Sequence, residues 1–531
     1  MTLRILFVLS TLLIVNYGAG LNILVIFPHP GKSHFLVFEP FLKTLAKKGH
    51  NLTVLSFCPQ KTPPPNYRDV SLLNSSSPWV EIIKISDLTG SRREKYEGAL
   101  LLKMFAEESC SIGLQSKNLQ EFLKEDNKFD VILAEFFNTN CFMGLVKKYK
   151  APVIGLSSCV WPPWISDWFG NPENPSYIPT VFMDYSDEMT FLERVENTAL
   201  LLFDKLVFKL IDENANMLSK KFLGVDLHEG QHVVYNASLL LSNTHFSLNR
   251  PKPLVPSIVE VGGIHITKPK KLPANLEKWI NDSSEGVIYF SLGSMLKGNT
   301  FPNDKRQIFL NAFKRLPQRV LWKWENETME GKPDNVMVQK WMPQLDILCH
   351  PNVKAFISHG GLLGITEAVH YGVPTIVMPQ FGDQHTNARA LEANGGGVIL
   401  QLNEATEEKV YMALKKVLSP GQKAKELSER FRDRPLPPLE TAIYWVEYVA
   451  RHKGAPHMRT AAVDMPFYKY YLIDVMAFLL LVFSIFIYVS YRAIRFILRK
   501  ALKRNSDKSK FYMFIVETGC SADESYSGDE L

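Results

Sequence analysis

The sequence predicts an α/β protein of two open parallel sheets, followed near its C-terminal end by one membrane-crossing helix. Three stretches carry that expectation: a βαβ opening at residues 23–57, a strand, glycine turn and helix start centred on residues 353–372, and an uncharged apolar run at 475–491. With 531 residues the chain is too long for a single core and calls for two domains. Its 46% hydrophobic and 21% charged residues exclude disorder as the main state. The net charge is only +6, with Lys and Arg dispersed except near the C-terminus, so no nucleic-acid partner is expected.

Residues 1–20 carry Arg4, an apolar run at 5–15 and small residues at Gly18 and Gly20, which reads as a signal peptide cleaved before Leu21. Next come a strand at 23–27, a loop at 28–33, a helix at 34–48 stopped by Gly49, and a strand at 52–57. Further strands at 80–85, 131–134 and 153–156 extend an open parallel sheet, whose ligands belong beyond the carboxyl ends of its strands. The stretch 161–169, WPPWISDWF, is too irregular for a regular element. It is either an apolar loop over the crevice or a set of rings sealing the core. Residues 189–222 are apolar at helical spacing and read as packing helices.

A shift to Pro, Lys and Gly at 251–273 marks an interdomain linker. A second sheet begins with GVIYFSL at 286–292, closed by Gly293 and Ser294, and continues with strands at 320–324 and 336–338. The run 353–358 then meets His359-Gly360-Gly361 and a helix at 362–371 closed by Gly372. A helix N-terminus leaves backbone N–H groups unpaired and partially positive, so this turn is a candidate phosphate cradle. A strand at 375–379 follows, and residues 435–459 form an amphipathic helix after a proline-rich break. The apolar run 475–491 is followed at once by Arg492, Arg495, Arg499, Lys500, Lys503 and Arg504, which the positive-inside rule places in the cytosol. The main body is then lumenal. Five sequons, at Asn51, Asn74, Asn236, Asn281 and Asn326, are compatible with that side. The terminal Gly-Asp-Glu-Leu would lie in the cytosol, where a lumenal retention receptor cannot read it. The six cysteines show no CxxC pair, so neither a zinc site nor a disulfide framework is indicated, and a single disulfide stays open.

The stretch 341–387 carries a longer pattern: Trp341, Pro343, Gln344, His350 and Pro351; then His359, Gly361, Gly364, Glu367 and Ala368; then Asp383, Gln384 and Asn387. It closely resembles the signature of the UDP-glycosyltransferases, in their membrane-anchored, insect-like animal form. The resemblance runs from Phe27 to the membrane segment and implies the GT-B fold, two facing Rossmann-like domains. On this reading residues 1–20 are the signal peptide, 21–255 the acceptor-binding domain, 256–274 the linker, and 275–455 the UDP-sugar-binding domain. The last includes helices that cross back to the first domain. Residues 456–473 are juxtamembrane, 474–491 cross the membrane and 492–531 are the cytosolic tail. The family also implies that the 189–222 region can lie on the bilayer.

The resemblance assigns site residues one by one. His34, in Pro-His-Pro-Gly-Lys-Ser-His, matches the family's catalytic histidine segment. A neutral imidazole takes a proton from a hydroxyl near neutral pH, and a carboxylate on its other nitrogen improves it as a base. The family's acidic partner, usually aspartate, falls on Glu135, one methylene longer, with Asn140 where relatives can offer an aspartate instead; Asp130 should face away. Trp341 would stack on uracil, Gln344 and Glu367 would hold the ribose, and Ser294, His359, Gly361 and Gly364 would hold the diphosphate. Asp383 and Gln384 would bind the sugar. Many relatives carry Asn in the glycine turn, where this chain has Leu362 and Leu363. The missing amide removes one phosphate contact, worth roughly 1–2 kcal/mol.

The expected activity is inverting transfer of a sugar, glucose ahead of glucuronic acid, from a UDP-sugar to a small lipophilic acceptor such as a phenol, steroid, pigment or xenobiotic. This is a detoxification-type reaction in the endoplasmic reticulum. The UDP-sugar is a co-substrate; no cofactor or metal is expected, and a homo-oligomer is left open. The alternative is a non-catalytic, membrane-tethered protein that binds lipophiles or UDP.

Overall fold

The computed structural model describes residues 20–519 apart from 74–77, 89–91, 231, 327 and 420–421. The signal peptide, the Asn74 sequon, Cys520 and the terminal Gly-Asp-Glu-Leu therefore lie outside the described residues. Two units emerge, residues 1–463 and 464–531.

The first unit holds two parallel sheets. One is seven-stranded, in the order β3-β2-β1-β5-β6-β7-β8: β1 is Asn22–Phe27, β2 Asn51–Ser56, β3 Tyr67–Ser71, β5 Val131–Glu135, β6 Val153–Ser157, β7 Leu239–Ser242 and β8 Ile258–Glu260. Strands β1, β5 and β6 are buried almost throughout, as expected of parallel strands covered on both faces. The other sheet is six-stranded, β12-β11-β9-β13-β14-β15: β9 is Val287–Ser291, β11 Arg319–Lys323, β12 Val336–Gln339, β13 Val353–Ser358, β14 Thr375–Val377 and β15 Gly397–Ile399. In the first sheet the order reverses between β1 and β5, in the second between β9 and β13. Such switch points open a crevice beyond the strand ends.

Several elements differ from the sequence expectation. The strand foreseen at 80–85 shrinks to β4, Ile83–Lys84, and leaves the first sheet to pair in parallel with β10, Leu296–Lys297, of the second half. Glu81 N–H reinforces this seam by donating to the Ser294 carbonyl at 2.8 Å. The place at the edge of the first sheet goes to β3, whose polar Arg68-Asp69 pair hides its strand character from periodicity. Composition marked 251–273 as the linker and the domain division began it at 256, but within that stretch β8 takes residues 258–260 as the seventh strand. The aromatic stretch is not a loop over the crevice. Residues Pro163–Phe169 form a short helix started by Pro163 and stopped by Gly170, at φ 60°, and Trp161, Trp164, Trp168 and Phe169 are all buried in the first core.

The helix Phe191–Leu223 opens with a capping box between Thr190 and Glu193 and ends at Gly224, at φ 67°. It buries Leu200, Val207, Phe208 and Ile211, while Phe191, Leu192, Leu206, Leu210 and Met217 stay exposed on the opposite side. The helix Pro438–Arg451 presents Ala442, Ile443, Val446 and Val449 to the core of the first sheet, so the chain returns there after completing the second. Cys110 and Cys141 form a disulfide, while Cys58, Cys159 and Cys349 are free. The sequons at Asn51, Asn236, Asn281 and Asn326 are exposed.

The second unit is dominated by one helix, Ile473–Gly519, with an apolar window of mean hydropathy 2.4. Its 47 residues extend about 70 Å, roughly twice what a bilayer core requires. The apolar half is long enough to cross a membrane, and the helix continues through the basic run from Arg492 into the expected tail.

Candidate active site

Both crevices open into one cavity of about 780 Å³, lined from both halves of the first unit. His34 reaches it from the helix Lys32–Lys47, which begins two residues earlier than the sequence suggested and carries His34 in its first turn. Nothing caps that turn by side chain; burial of Phe35, Phe38, Phe41, Leu42 and Leu45 holds the helix in place, and it runs through Pro40. Glu135 is the last residue of β5, fully buried at the end of the neighbouring strand. Its Oε1 lies 2.6 Å from His34 Nδ1, so the longer glutamate side chain reaches the imidazole. Asn140 does not compete for this place: its Nδ2 donates to Asp212 Oδ1 at 2.9 Å. Asp130 precedes β5 and accepts from the Asn22 N–H.

Two neighbours of His34 escaped the sequence reading. Ser158, just past β6, places its hydroxyl 2.8 Å from His34 Nδ1 and donates to Glu135 Oε1 at 3.3 Å. The dyad is thus a three-way cluster built on the first turn of the helix that follows β1 and on the ends of β5 and β6. His29 stacks obliquely on His34, with ring centroids 4.3 Å apart, and burial lowers its pKa so that it stays neutral. A serine after a short apolar strand and a histidine before a proline are too common to signal either.

On the other wall, Ser294 and His359 follow the adjacent strands β9 and β13. The His359 ring is wedged between two glycines: a Cβ at Gly293 would lie 2.5 Å from its Cε1, and one at Gly361 only 2.6 Å from its Nε2. Gly293 also sits at φ 78°, so its glycine is required twice over. Burial, and then the Lys323 charge, lower His359 to about 4, which keeps the ring neutral. Lys323 was also missed. It is buried at the end of β11, 3.2 Å from Glu325 Oε1 and 3.7 Å from Glu81 Oε1, and lines the cavity. A cation following the apolar run Val320–Trp322 was the available signal.

The helix Leu362–Tyr371 occupies the expected residues, with Gly372 at φ 68° behind it. Gly361 stands at its N-cap without any side-chain cap, so the N–H groups of the first turn face the cavity end unshielded. Leu362 packs in an apolar cluster and Leu363 against the first core, which explains their place in the turn. A Cβ on Gly364 would approach Gln344 Nε2 to 3.1 Å. Gln344 Nε2 donates to Glu367 Oε2 at 2.7 Å, joining the two residues expected to hold one ribose. Burial raises Glu367 to about 7. Trp341 remains 58% exposed at the rim, with Lys32 Nζ 5.0 Å from its ring centroid.

Asp383 stands at the N-cap of the helix Gln384–Ala393, six residues beyond β14. Its carboxylate accepts from Asn387 Nδ2 at 2.9 Å, and burial raises its pKa although His34 pulls the other way. Asp383 from the second half and His34 from the first line the same cavity. Gln384 Oε1 accepts from the Gln380 N–H at 2.9 Å, which leaves its NH₂ group as the donor for a ligand. Every sequence-proposed site residue except Glu135, which is buried and reaches the site through His34, thus lines this one cavity.

Over residues 73–508 the chain matches the family model described as UDP-glucoronosyl and UDP-glucosyl transferase. The chain belongs to this family. It is 43% identical over 498 residues to UDP-glycosyltransferase UGT5 of Dactylopius coccus, covering 91% of this chain and 94% of the relative. UDP-glucosyltransferase 2 of the same insect is 39% identical, covering 92% and 95%; human UDP-glucuronosyltransferase 1A9 is 35% identical, covering 76% of each. Among solved structures, the glycotransferase of kitacinnamycin superposes with a TM-score of 0.55 at 18% identity, covering 81% of this chain and 99% of that one. The forosaminyltransferase SpnP gives 0.52 at 16%, with the same coverage. The fold is therefore GT-B, and the protein is a UDP-glycosyltransferase with one candidate membrane helix among its described residues. Glu135, one methylene longer than the family's usual aspartate, is engaged with His34.

Proposed function

We propose that this UDP-glycosyltransferase moves glucose from UDP-glucose to a hydroxyl of a small lipophilic acceptor, with inversion, using His34 as general base. The observation that carries the reading is the 2.6 Å contact between His34 Nδ1 and the buried Glu135 carboxylate, at the edge of a cavity that also holds Asp383 and the uncapped glycine turn. With Nδ1 held by Glu135, Nε2 is the ring nitrogen left to take the acceptor proton. The acceptor oxygen forms its bond to the anomeric carbon as the bond from that carbon to the diphosphate oxygen breaks, so an α-linked donor gives a β-glycoside. The electron pair leaves with UDP, whose charge the N-terminus of the Leu362–Tyr371 helix and neutral His359 stabilise by hydrogen bonding. This chemistry needs no divalent ion.

Trp341 is assigned to the uracil, Gln344 and Glu367 to the ribose, Ser294, His359, Gly361 and Gly364 to the diphosphate, and Asp383 and Gln384 to the sugar. The wall from the first half is apolar, with Leu101, Phe105, Phe137 and Phe182 among its residues, which suits a lipophilic acceptor. Glucose is favoured because a glucuronate carboxylate would meet the buried carboxyl of Asp383, and the nearby buried cation, Lys323, is already matched by Glu325 and Glu81. UDP-glucuronate is the second reading, supported by the similarity to the human glucuronosyltransferase. The signal-like N-terminus, the sequons and the basic run after residue 491 support a lumenal body in the endoplasmic reticulum membrane.

The test measures UDP release from membranes containing the full chain or His34→Ala, with each donor offered separately against a panel of phenolic acceptors. Acceptor-dependent release from UDP-glucose, lost in the variant with UDP binding kept, is expected. Release from UDP-glucuronate alone overturns the sugar assignment, and turnover retained in His34→Ala removes His34 from the mechanism.

A further inference from the structure

Away from the reaction cavity, Asp212, His228 and His232 converge. Asp212 projects from the helix Phe191–Leu223, and both histidines come from the segment between that helix and β7. His228 Nε2 lies 2.9 Å from Asp212 Oδ2, and His232 Nε2 lies 3.3 Å from Asp212 Oδ1; one ligand atom from each residue fits within a 4.8 Å span. We propose that these three side chains form a binding site for a divalent transition-metal ion of the zinc class, structural in role and separate from sugar transfer.

The geometry suits such an ion. Two ligands at about 2.0–2.1 Å from a tetrahedral metal stand about 3.3 Å apart, close to the spacing of these pairs before any ion is bound. Two imidazoles and one carboxylate are the donor set that borderline metals prefer. His232 Nε2 is buried and makes no hydrogen bond among the described residues, although it faces Asp212.

The scaffold is already fixed. Lys147 Nζ donates to the carbonyls of Asp226 and Glu229 at 2.7 and 2.6 Å, Leu227 N–H donates to Asn216 Oδ1, and Asn140 Nδ2 orients Asp212. Such outer contacts set ligand direction and spare the ordering cost of binding.

The histidines occur as His228-Glu229-Gly230-Gln231-His232, the spacing that on a helix pairs a zinc ion with a catalytic glutamate. Here Gly230 sits at φ 71° in a non-helical turn, and Glu229 is exposed and outside the cluster, so no hydrolytic role follows. His228, one-third exposed, leaves a coordination position for water. A bound ion would tie the long helix to the segment entering β7. Through Asn140 it would also brace the turn that follows Glu135, where Cys141 is bonded to Cys110.

The competing occupant is a proton: Val234 N–H approaches His232 Nδ1 at 3.4 Å, and a proton on Nε2 would then point at Asp212. The deciding experiment dialyses the detergent-solubilised full chain to equilibrium against micromolar ZnCl₂ or CoCl₂, beside His228→Ala and Asp212→Asn. One extra equivalent of metal in the wild type, the intense visible absorption of four-coordinate cobalt, and a zinc-dependent rise in melting temperature are expected, all lost in His228→Ala. His228 is on the surface, so that variant should keep UDP release within about two-fold in the absence of added metal. Equal metal content in wild type and His228→Ala, or none in either, overturns the proposal. A melting temperature that follows pH but not zinc assigns the cluster to a proton.

Discussion

The two walls of the cavity are built by different rules. The wall from the second half draws His359, Gly361, Gly364, Glu367, Asp383 and Gln384 from one short run, on strand ends and helix starts that follow one another directly. The wall from the first half draws His34, Phe105, Ser158 and Phe182, with Glu135 buried against His34, from segments far apart in the chain, brought together only by the tertiary fold. Local geometry suffices to hold a nucleotide diphosphate, because a glycine turn and a helix N-terminus form one continuous peptide. A proton relay beside an apolar pocket needs three strand ends in register. The donor wall is therefore legible as a motif, and the acceptor wall is not.

The comparison is broken most severely on the first wall. Glu135→Ala leaves His34 without its buried partner, and turnover should fall by about 10²–10⁴-fold while UDP affinity stays within two-fold; steady-state kinetics and UDP titration separate the two effects. Trp341→Ala should do the reverse. Loss of a stacked ring costs roughly 1–3 kcal/mol, so the donor KM should rise about 5–150-fold with the acceptor KM unchanged. An equal rise in both constants would refute the division of labour between the walls.

Smaller effects sharpen the contrast. Ser158→Ala removes the hydroxyl donor to Glu135, and kcat should drop about 3–10-fold, on the scale of one net hydrogen bond of about 1 kcal/mol. The pH–rate profile should move as well, whereas a merely structural serine would change stability alone. Glu367→Gln tests the polar wall. Its carboxyl is raised by burial to about 7 from an ordinary 4.5, so the folded state keeps a proton that the unfolded chain releases, and stability declines as pH rises from about 4.5 to 7. The neutral amide escapes that penalty. At pH 8 the variant should be about 1–2 kcal/mol more stable than wild type, with no such gain at pH 4, while binding UDP less well; thermal melts at the two pH values decide it.

Physical reasons separate what was legible from what was not. The helix Leu362–Tyr371 matched its expected residues because apolar periodicity and Gly372 mark both ends within the peptide itself. The Lys32–Lys47 helix was misplaced by two residues because no side chain caps it, and burial of Phe35 and Phe38 decides its start. The aromatic run at 161–169 left loop and core equally open, since amphipathic patterning vanishes when every side of a short helix is buried. Strand β4 looked like a member of the first sheet but pairs with β10, a partner more than 200 residues away that no local pattern names. By itself, the sequence determined two parallel sheets and an apolar helix near the C-terminal end, written in contiguous periodicity, and, through local motifs that resemble the family's, the donor motif and the candidate base. Only the tertiary structure decided that Glu135 reaches His34, that Ser158 joins them and that His228 and His232 meet Asp212, because strand order and loop return, not sequence distance, set which side chains touch.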